Sequence, residues 1–160
     1  MITIHTDGSN VYNGKDWSYG GYGYIIEYSG NILEGGGSAE PNANDPVTNN
    51  KMELMAILKS LEVLVEIGVT KETIKVVSDS QWCVNCANGS WRRKKNLELW
   101  NEFVTIKHKL RLKGNKLELE WIKGHAGHEL NERADELAGM YKDRAKPTQE
   151  LLDELRNGNV

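Results

Sequence analysis

The order in which apolar periodicity changes along this chain leaves few folds open. Residues 1–6 alternate apolar and polar, as a half-buried strand does. Residues 22–28 and 31–37 do the same on either side of a Ser29-Gly30 turn. Three such segments in succession predict an antiparallel meander. After a loop with Pro41 and Pro46 the period switches. Over 49–67, Leu54, Ile57, Leu58, Leu61, Leu64 and Val65 fall at helical spacing, with Thr48 before the first turn and Gly68 as the stop. A β-branched strand at 73–78 follows, then helices at 81–87 and 97–112, a strand at 117–122, and a helix at 132–144 that Pro147 ends. The order β-β-β-α-β-α-α-β-α predicts a mixed α/β fold, a sheet with helices on its faces.

A chain of 160 residues suits one domain, expected over 1–145, with a tail at 146–160 in which 148–156 reads as a short helix. A globule of this size buries roughly two thirds of the surface its unfolded chain exposes, so a substantial core is available. The longest apolar run is only a few residues, which excludes a membrane-spanning helix. The first residues lack the basic and apolar regions of a signal peptide, so a cytoplasmic, reducing location is expected. The formal charge of −3 is unusual for a nucleic-acid binder. Its distribution matters more: basic residues concentrate at Arg92-Arg93-Lys94-Lys95 and along 107–116, whereas acids crowd the tail near Glu150 to Glu154.

Four acids stand at chemically suggestive places. Asp7 and Asp79 each follow a predicted strand. If those strands are parallel neighbours, both side chains emerge at one carboxyl edge, where open α/β sheets place their sites. Glu53 and Asp135 fall in what reads as the first turn of two helices. Each has a plain alternative: Asp7-Gly8-Ser9 as a turn, Asp79 as a helix cap, Glu53 and Asp135 as acids that suit a helix N-terminus. Converging on one edge, the four would repel one another without a cation, and hard divalent ions answer that repulsion.

The flanking residues narrow the choice. Thr6-Asp7-Gly8-Ser9, Thr48-Asn49-Asn50-Lys51-Met52-Glu53-Leu54, Ser78-Asp79-Ser80-Gln81, and Lys123-Gly124-His125-Ala126-Gly127-His128 running into Asn131-Glu132-Arg133-Ala134-Asp135 resemble the type 1 ribonuclease H family. The blocks occur in the family's order over residues 1–145. The resemblance implies a ribonuclease H-like fold, a five-stranded mixed sheet flanked by helices. It implies an endonuclease that hydrolyses the RNA strand of RNA–DNA hybrids and leaves 5′-phosphate and 3′-hydroxyl ends. The same domain occurs fused to reverse transcriptases, but a chain that starts at the first strand with no polymerase is expected to be free-standing, and a monomer. Asp7, Glu53, Asp79 and Asp135 would hold two Mg²⁺ ions, with Mn²⁺ as the alternative, and Asp7 would bridge them. His125 would be the family's loop histidine, assisting proton movement or product release. Asn49 and Gln81 match minor-groove contacts, and Thr48 matches a DNA-strand phosphate contact. Asn13 is a second phosphate contact in a segment a few residues longer than in familiar bacterial members. Trp91, Arg92, Arg93, Lys94 and Lys95 form a shortened version of the family's basic substrate-binding protrusion, with Trp91 and Trp100 framing it.

Three other readings compete. Cys83-Val84-Asn85-Cys86 with His125-Ala126-Gly127-His128 invites zinc, but the pairs are too far apart and the histidines too close together for the common pattern. Two cysteines three apart on a helix are more often core residues. A catalytically silent hybrid-binding module would be marked by a lost carboxylate, and all four are present. Other nucleases of the superfamily, junction resolvases and proofreading exonucleases, share carboxylates on this kind of sheet. The Asn49 to Leu54 and Gly124 to His128 blocks favour ribonuclease H.

Overall fold

The computed structural model describes residues 1–124 and 126–157. Its elements are β1 (Ile2–Val11), β2 (Tyr19–Tyr28), β3 (Asn31–Ala39), α1 (Asn49–Ile67), β4 (Thr73–Ser78), α2 (Gln81–Ala87), α3 (Leu97–Leu112), β5 (Lys116–Trp121), α4 (Glu129–Ala145) and α5 (Gln149–Arg156). The strands form one mixed sheet in the order β3-β2-β1-β4-β5. The first three make the antiparallel meander, and β4 pairs parallel with β1 and β5.

The best-defined helix has side-chain and glycine caps. Thr48 Oγ1 accepts the Lys51 N–H at 3.2 Å, and Gly68, at φ 81°, donates its N–H to Leu64 and Val65 at the other end. Between the caps α1 buries Leu54, Ile57, Leu58, Leu61 and Leu64 against Ile2, Ile4, Ile74, Val76, Trp100 and Phe103. Alternation along β2 sends Ile26 to that core and Ile25 to the opposite face, where it meets Ala134 and Leu137 of α4. Glycine sets the depth of this second contact. A Cβ on Gly23 would lie 2.6 Å from Leu137 Cβ, and one on Gly21 would collide with the α4 backbone at Ala138 and Lys142. The bare face of β2 therefore lets α4 lie close against the sheet.

Three details depart from the sequence expectations. β1 does not end at residue 6. Gly8, Ser9, Asn10 and Val11 continue its ladder opposite Tyr22, Gly21, Gly20 and Tyr19. Backbone pairing needs no apolar alternation, so the pattern understated the strand. Asp7 thus lies inside β1, at the point where parallel pairing with β4 stops at Thr6↔Ser78. Next, α4 begins at Glu129, which moves Asp135 into the second turn. Glu53 likewise follows the first turn of α1, which contains no acid. The helix dipole acts within the first turn and explains neither acid. No helix among the described residues is long and apolar enough to cross a membrane.

Candidate metal centre

Parallel pairing of β1 with β4 brings Asp7 and Asp79 to one edge of the sheet. A glycine brings the third acid. A Cβ on Gly8 would lie 2.6 Å from the Glu53 nitrogen and 2.7 Å from the Met52 carbonyl carbon, so only a bare residue lets β1 pass this close to α1. Ligand oxygens of Asp7, Glu53 and Asp79 all lie within 4.8 Å of one another. Asp7 is 4% exposed and Glu53 3%. Asp135 of α4 lines the same cleft of about 410 Å³, with Asn49, Asn50, Gln81 and Trp82, and its nearby carboxylate helps to raise the Asp7 carboxyl. It is itself exposed and stands outside the three-way cluster.

Electrostatics make this cluster costly as protein alone. Burial, followed by the Asp79 charge, pushes the Asp7 carboxyl up to about 8, although the Gly8 N–H offsets part of this at 2.9 Å. Burial also holds Glu53 well above the usual carboxylate range, with Asp7 and Asp79 adding to it. Glu53 Oε2 is buried with no hydrogen-bond partner among the described residues. Such an oxygen carries a desolvation cost. A cation would relieve both the repulsion and the missing partner, and an all-oxygen donor set suits a hard divalent ion. The residues therefore fit a metal of that class.

The expected substrate contacts divide into those at the cleft and those elsewhere. Asn13 Oδ1 accepts the Asn49 N–H at 2.7 Å and the Asn10 side-chain N–H at 3.1 Å, which gathers Asn13, Thr48 and Asn49 at the start of α1. Gln81 opens α2, exposed, behind the Ser80 cap. Trp91 is 47% exposed, and Arg92, Lys94 and Lys95 are exposed beside it. Arg93 differs from its neighbours in what it touches. Its Nε donates to the Cys86 carbonyl at 3.0 Å, its Nη2 to that of Ala87 at 3.3 Å, and its guanidinium lies 4.8 Å from the centre of the Trp100 ring. Half-buried, it ties the end of α2 to the core. Trp100 is likewise a core anchor, 1% exposed, and not part of a frame. Cys83 and Cys86 are core residues as well, and burial raises both thiols. His125 lies outside the described residues.

Two contacts of the site had no signal in the sequence pattern, although Gly124 itself belongs to one of the blocks quoted above. The Trp121 indole N–H donates to the Asp79 backbone carbonyl at 3.0 Å. Gly124 packs on the Asp79 carboxylate so closely that a Cβ would sit 2.8 Å from Oδ2. Both come from the end of β5 and the residues just after it, which read as an ordinary strand end.

Known proteins resemble this chain in sequence and in fold. The RNase H family model matches residues 1–142. Ribonuclease H of Campylobacter jejuni is 39% identical over 141 residues, 86% of this chain and 88% of that protein. Ribonuclease H of a Sulfurovum species is 36% identical over 154 residues, covering 91% and 93%. The crystal structure of LC11-RNase H1 in complex with RNA/DNA hybrid superposes with a TM-score of 0.71 at 28% identity, over 91% of this chain and 99% of that one. A mixed sheet with carboxylates gathered at its edge is the architecture of the ribonuclease H-like hydrolases. Within that class the chain belongs to the ribonuclease H family, type 1.

Proposed function

We propose that this chain hydrolyses the RNA strand of RNA–DNA hybrids and leaves 5′-phosphate and 3′-hydroxyl ends. The convergence of Asp7, Glu53 and Asp79 within 4.8 Å carries the reading. With Asp135 these residues would hold two divalent ions, Mg²⁺ first and Mn²⁺ as the alternative. Bound there, the ions would supply Lewis acidity, readying a water for in-line attack on phosphorus and stabilising the leaving 3′-oxygen. Asp7, flanked by Glu53, Asp79 and Asp135, is the residue suited to bridge them. Asn49 and Gln81 line the cleft with amides that can test the minor groove for a 2′-hydroxyl, the group that separates RNA from DNA. Thr48 and Asn13, at the start of α1, would meet a DNA-strand phosphate, and a helix N-terminus favours that charge. His125 would handle the proton. Trp91, Arg92, Lys94 and Lys95 would grip the hybrid from the α2–α3 connection. The catalytic domain would span 1–145, with 146–160 as an appended tail, in a monomer of the cytoplasm.

The test offers strand-labelled RNA–DNA hybrid, double-stranded RNA, double-stranded DNA and a four-way junction with Mg²⁺. Cutting of the hybrid's RNA strand alone, with the stated ends, is expected. Cutting of the junction or of DNA would move the chain to another branch of the superfamily. Binding without cutting would make it a silent module. Replacing Arg92, Lys94 and Lys95 with Ser should raise KM and flatten the salt dependence, by about 0.9 in log–log slope per lost phosphate contact on B-form duplex and by a similar order on a hybrid.

A further inference from the structure

We infer that Trp121 is a positioning residue for the metal centre, acting through Asp79. This deepens the reading just given and rests on the metal-ligand role of Asp79. The observation is one hydrogen bond and its place in the sheet. β4 and β5 pair in parallel up to Ser78↔Trp121, and the ladder runs one step further as the Ile122 N–H donates to the Ser78 carbonyl at 2.9 Å. The next carbonyl along, that of Asp79, lies beyond the end of β4, where backbone pairing with β5 has ceased. It takes the Trp121 indole N–H at 3.0 Å. A side chain thus extends the sheet's hydrogen bonding by one residue, and that residue is the proposed ligand.

Trp121 is 45% exposed, so its ring is not a core anchor, and no apolar cluster among the described residues includes it. Packing alone does not account for an indole at this position. The bond fixes the peptide plane after Asp79, and with it the direction in which the Asp79 Cα presents its carboxylate. Gly124, three residues further on, lies so near the carboxylate that a Cβ there would sit 2.8 Å from Oδ2, so the end of β5 and the residues just after it approach both ends of Asp79. Asp7 and Glu53 gain their rigidity from burial. Asp79 is half-buried just past the end of β4, and the Trp121 bond is one of the contacts that hold it. Partners that orient a metal ligand without touching the metal typically change affinity or activity by ~10–100-fold when removed.

Trp121→Phe keeps an aromatic ring and deletes the donor. Mg²⁺ alone is titrated calorimetrically into wild type, Trp121→Phe, Trp121→Ala and Asp79→Asn, and KM and kcat are measured on one hybrid. The inference expects Mg²⁺ binding weakened about tenfold in both Trp121 variants, a matching fall in kcat at limiting Mg²⁺, and KM for the hybrid unchanged. If Phe restores wild-type binding while Ala does not, the ring and not the N–H matters, and the inference fails. Unchanged Mg²⁺ binding with a raised KM would make Trp121 a substrate contact and overturn it. A lowered Tm with unchanged Mg²⁺ binding would make the bond merely structural and overturn it too. Loss of binding in Asp79→Asn but not in Trp121→Phe sinks this inference alone. Wild-type-like binding by Asp79→Asn sinks the ligand assignment beneath it as well. The indole N–H resonance of Trp121 in the wild-type protein gives a reading that needs no stable variant: it should shift on Mg²⁺ addition, and an unmoved resonance would count against the coupling.

Discussion

Two acidic hollows among the described residues contrast, and the roomier of them is the more ordinary chemically. Between α1 and α3 lies a groove of about 670 Å³ walled by Glu62, Glu66, Glu98 and Glu102 around Val65 and Ile106. The cleft at the sheet edge is smaller, about 410 Å³. The groove has as many carboxylates and more room. Its acids, however, stand on helix surfaces in contact with water, Lys59 lies 3.3 Å from Glu62, and Lys109 forms part of the wall. Exposed charges are screened by solvent and salt, so their repulsion is slight and needs no ion to relieve it. In the cleft three of the four carboxylates converge, and two of those three are buried. Among the described residues no other group of acids, histidines or cysteines converges in this way. Burial and convergence, and not the number of acids, separate a cation site from a solvated acidic face.

The largest expected effect tests that contrast at its centre. Asp79→Asn keeps the shape of the side chain and deletes one charge from the converged set. Activity on the hybrid should fall by ~10²–10³-fold or more, the scale seen when one electrostatic contact to a transition state is removed. The fold should survive. Steady-state cleavage with Mg²⁺ measures this, beside a circular dichroism spectrum. Near-normal cleavage would break the comparison, because the buried cluster would then be no more than another acidic patch.

The next effect is on stability. In the unfolded chain the Asp7 carboxyl titrates near 3.8, and in the fold near 8. Between those values the folded protein holds a proton that the unfolded chain has released, so raising the pH favours unfolding. The stability of the protonated site is full below 3.8 and is lost as pH rises through 8, with Glu53 acting in the same direction. In EDTA, Tm should therefore fall by several degrees between about pH 5 and about pH 8, and Mg²⁺ should raise Tm more at the higher pH. Asp7→Asn should flatten the EDTA curve. Scanning calorimetry across pH reads both, and a flat wild-type curve would mean that burial does not strain these acids as argued.

These contrasts show where sequence reading reached and where it stopped. α1 and β4 emerge with the bounds their residues imply, because Thr48, Gly68 and the β-branched run at 73–78 are local signals. The acids are legible as a set through their flanking blocks. Their burial is not legible, because it depends on Gly8 admitting the α1 backbone and on β1 running beside β4. The glycine face of β2 reads as a plain strand, since its purpose is the approach of α4, more than a hundred residues away in the chain. Arg93 is identical in type to Arg92, and only the free carbonyl end of α2 and the Trp100 ring turn it inward.

Asp135 sharpens the comparison because it belongs partly to each kind of region. It lines the cleft, yet it is exposed and lies outside the converged three. An exposed unit charge 4 Å from another in water-like surroundings is worth about 1 kcal/mol, rising to ~4 nearer a protein surface. Asp135→Asn should accordingly weaken Mg²⁺ binding by only about fivefold to tenfold, toward the lower end of that range. Calorimetric titration of Asp135→Asn beside Asp79→Asn makes the ranking visible. Equal losses would show that exposure does not grade these carboxylates.

The smallest expected effect belongs to the groove. Glu62, Glu98 and Glu102 replaced together by Gln leave the converged cluster untouched and remove three solvated charges from another part of the molecule. Surface substitutions of this kind typically stay within about ±0.5 kcal/mol each. Loss of the Lys59–Glu62 pair removes at most an exposed i,i+3 contact, itself worth a few tenths of a kcal/mol. Relief of repulsion among the remaining acids acts in the opposite direction, so Tm should move little and could rise slightly. Mg²⁺ affinity, kcat and KM should match wild type, because screening at ordinary salt confines each charge to about 8–10 Å. The triple variant, titrated with Mg²⁺ and assayed on the same hybrid, supplies the measurement. A fall in Mg²⁺ affinity approaching that of Asp79→Asn would mean that the exposed acids also gather the ion, and that charge number matters after all.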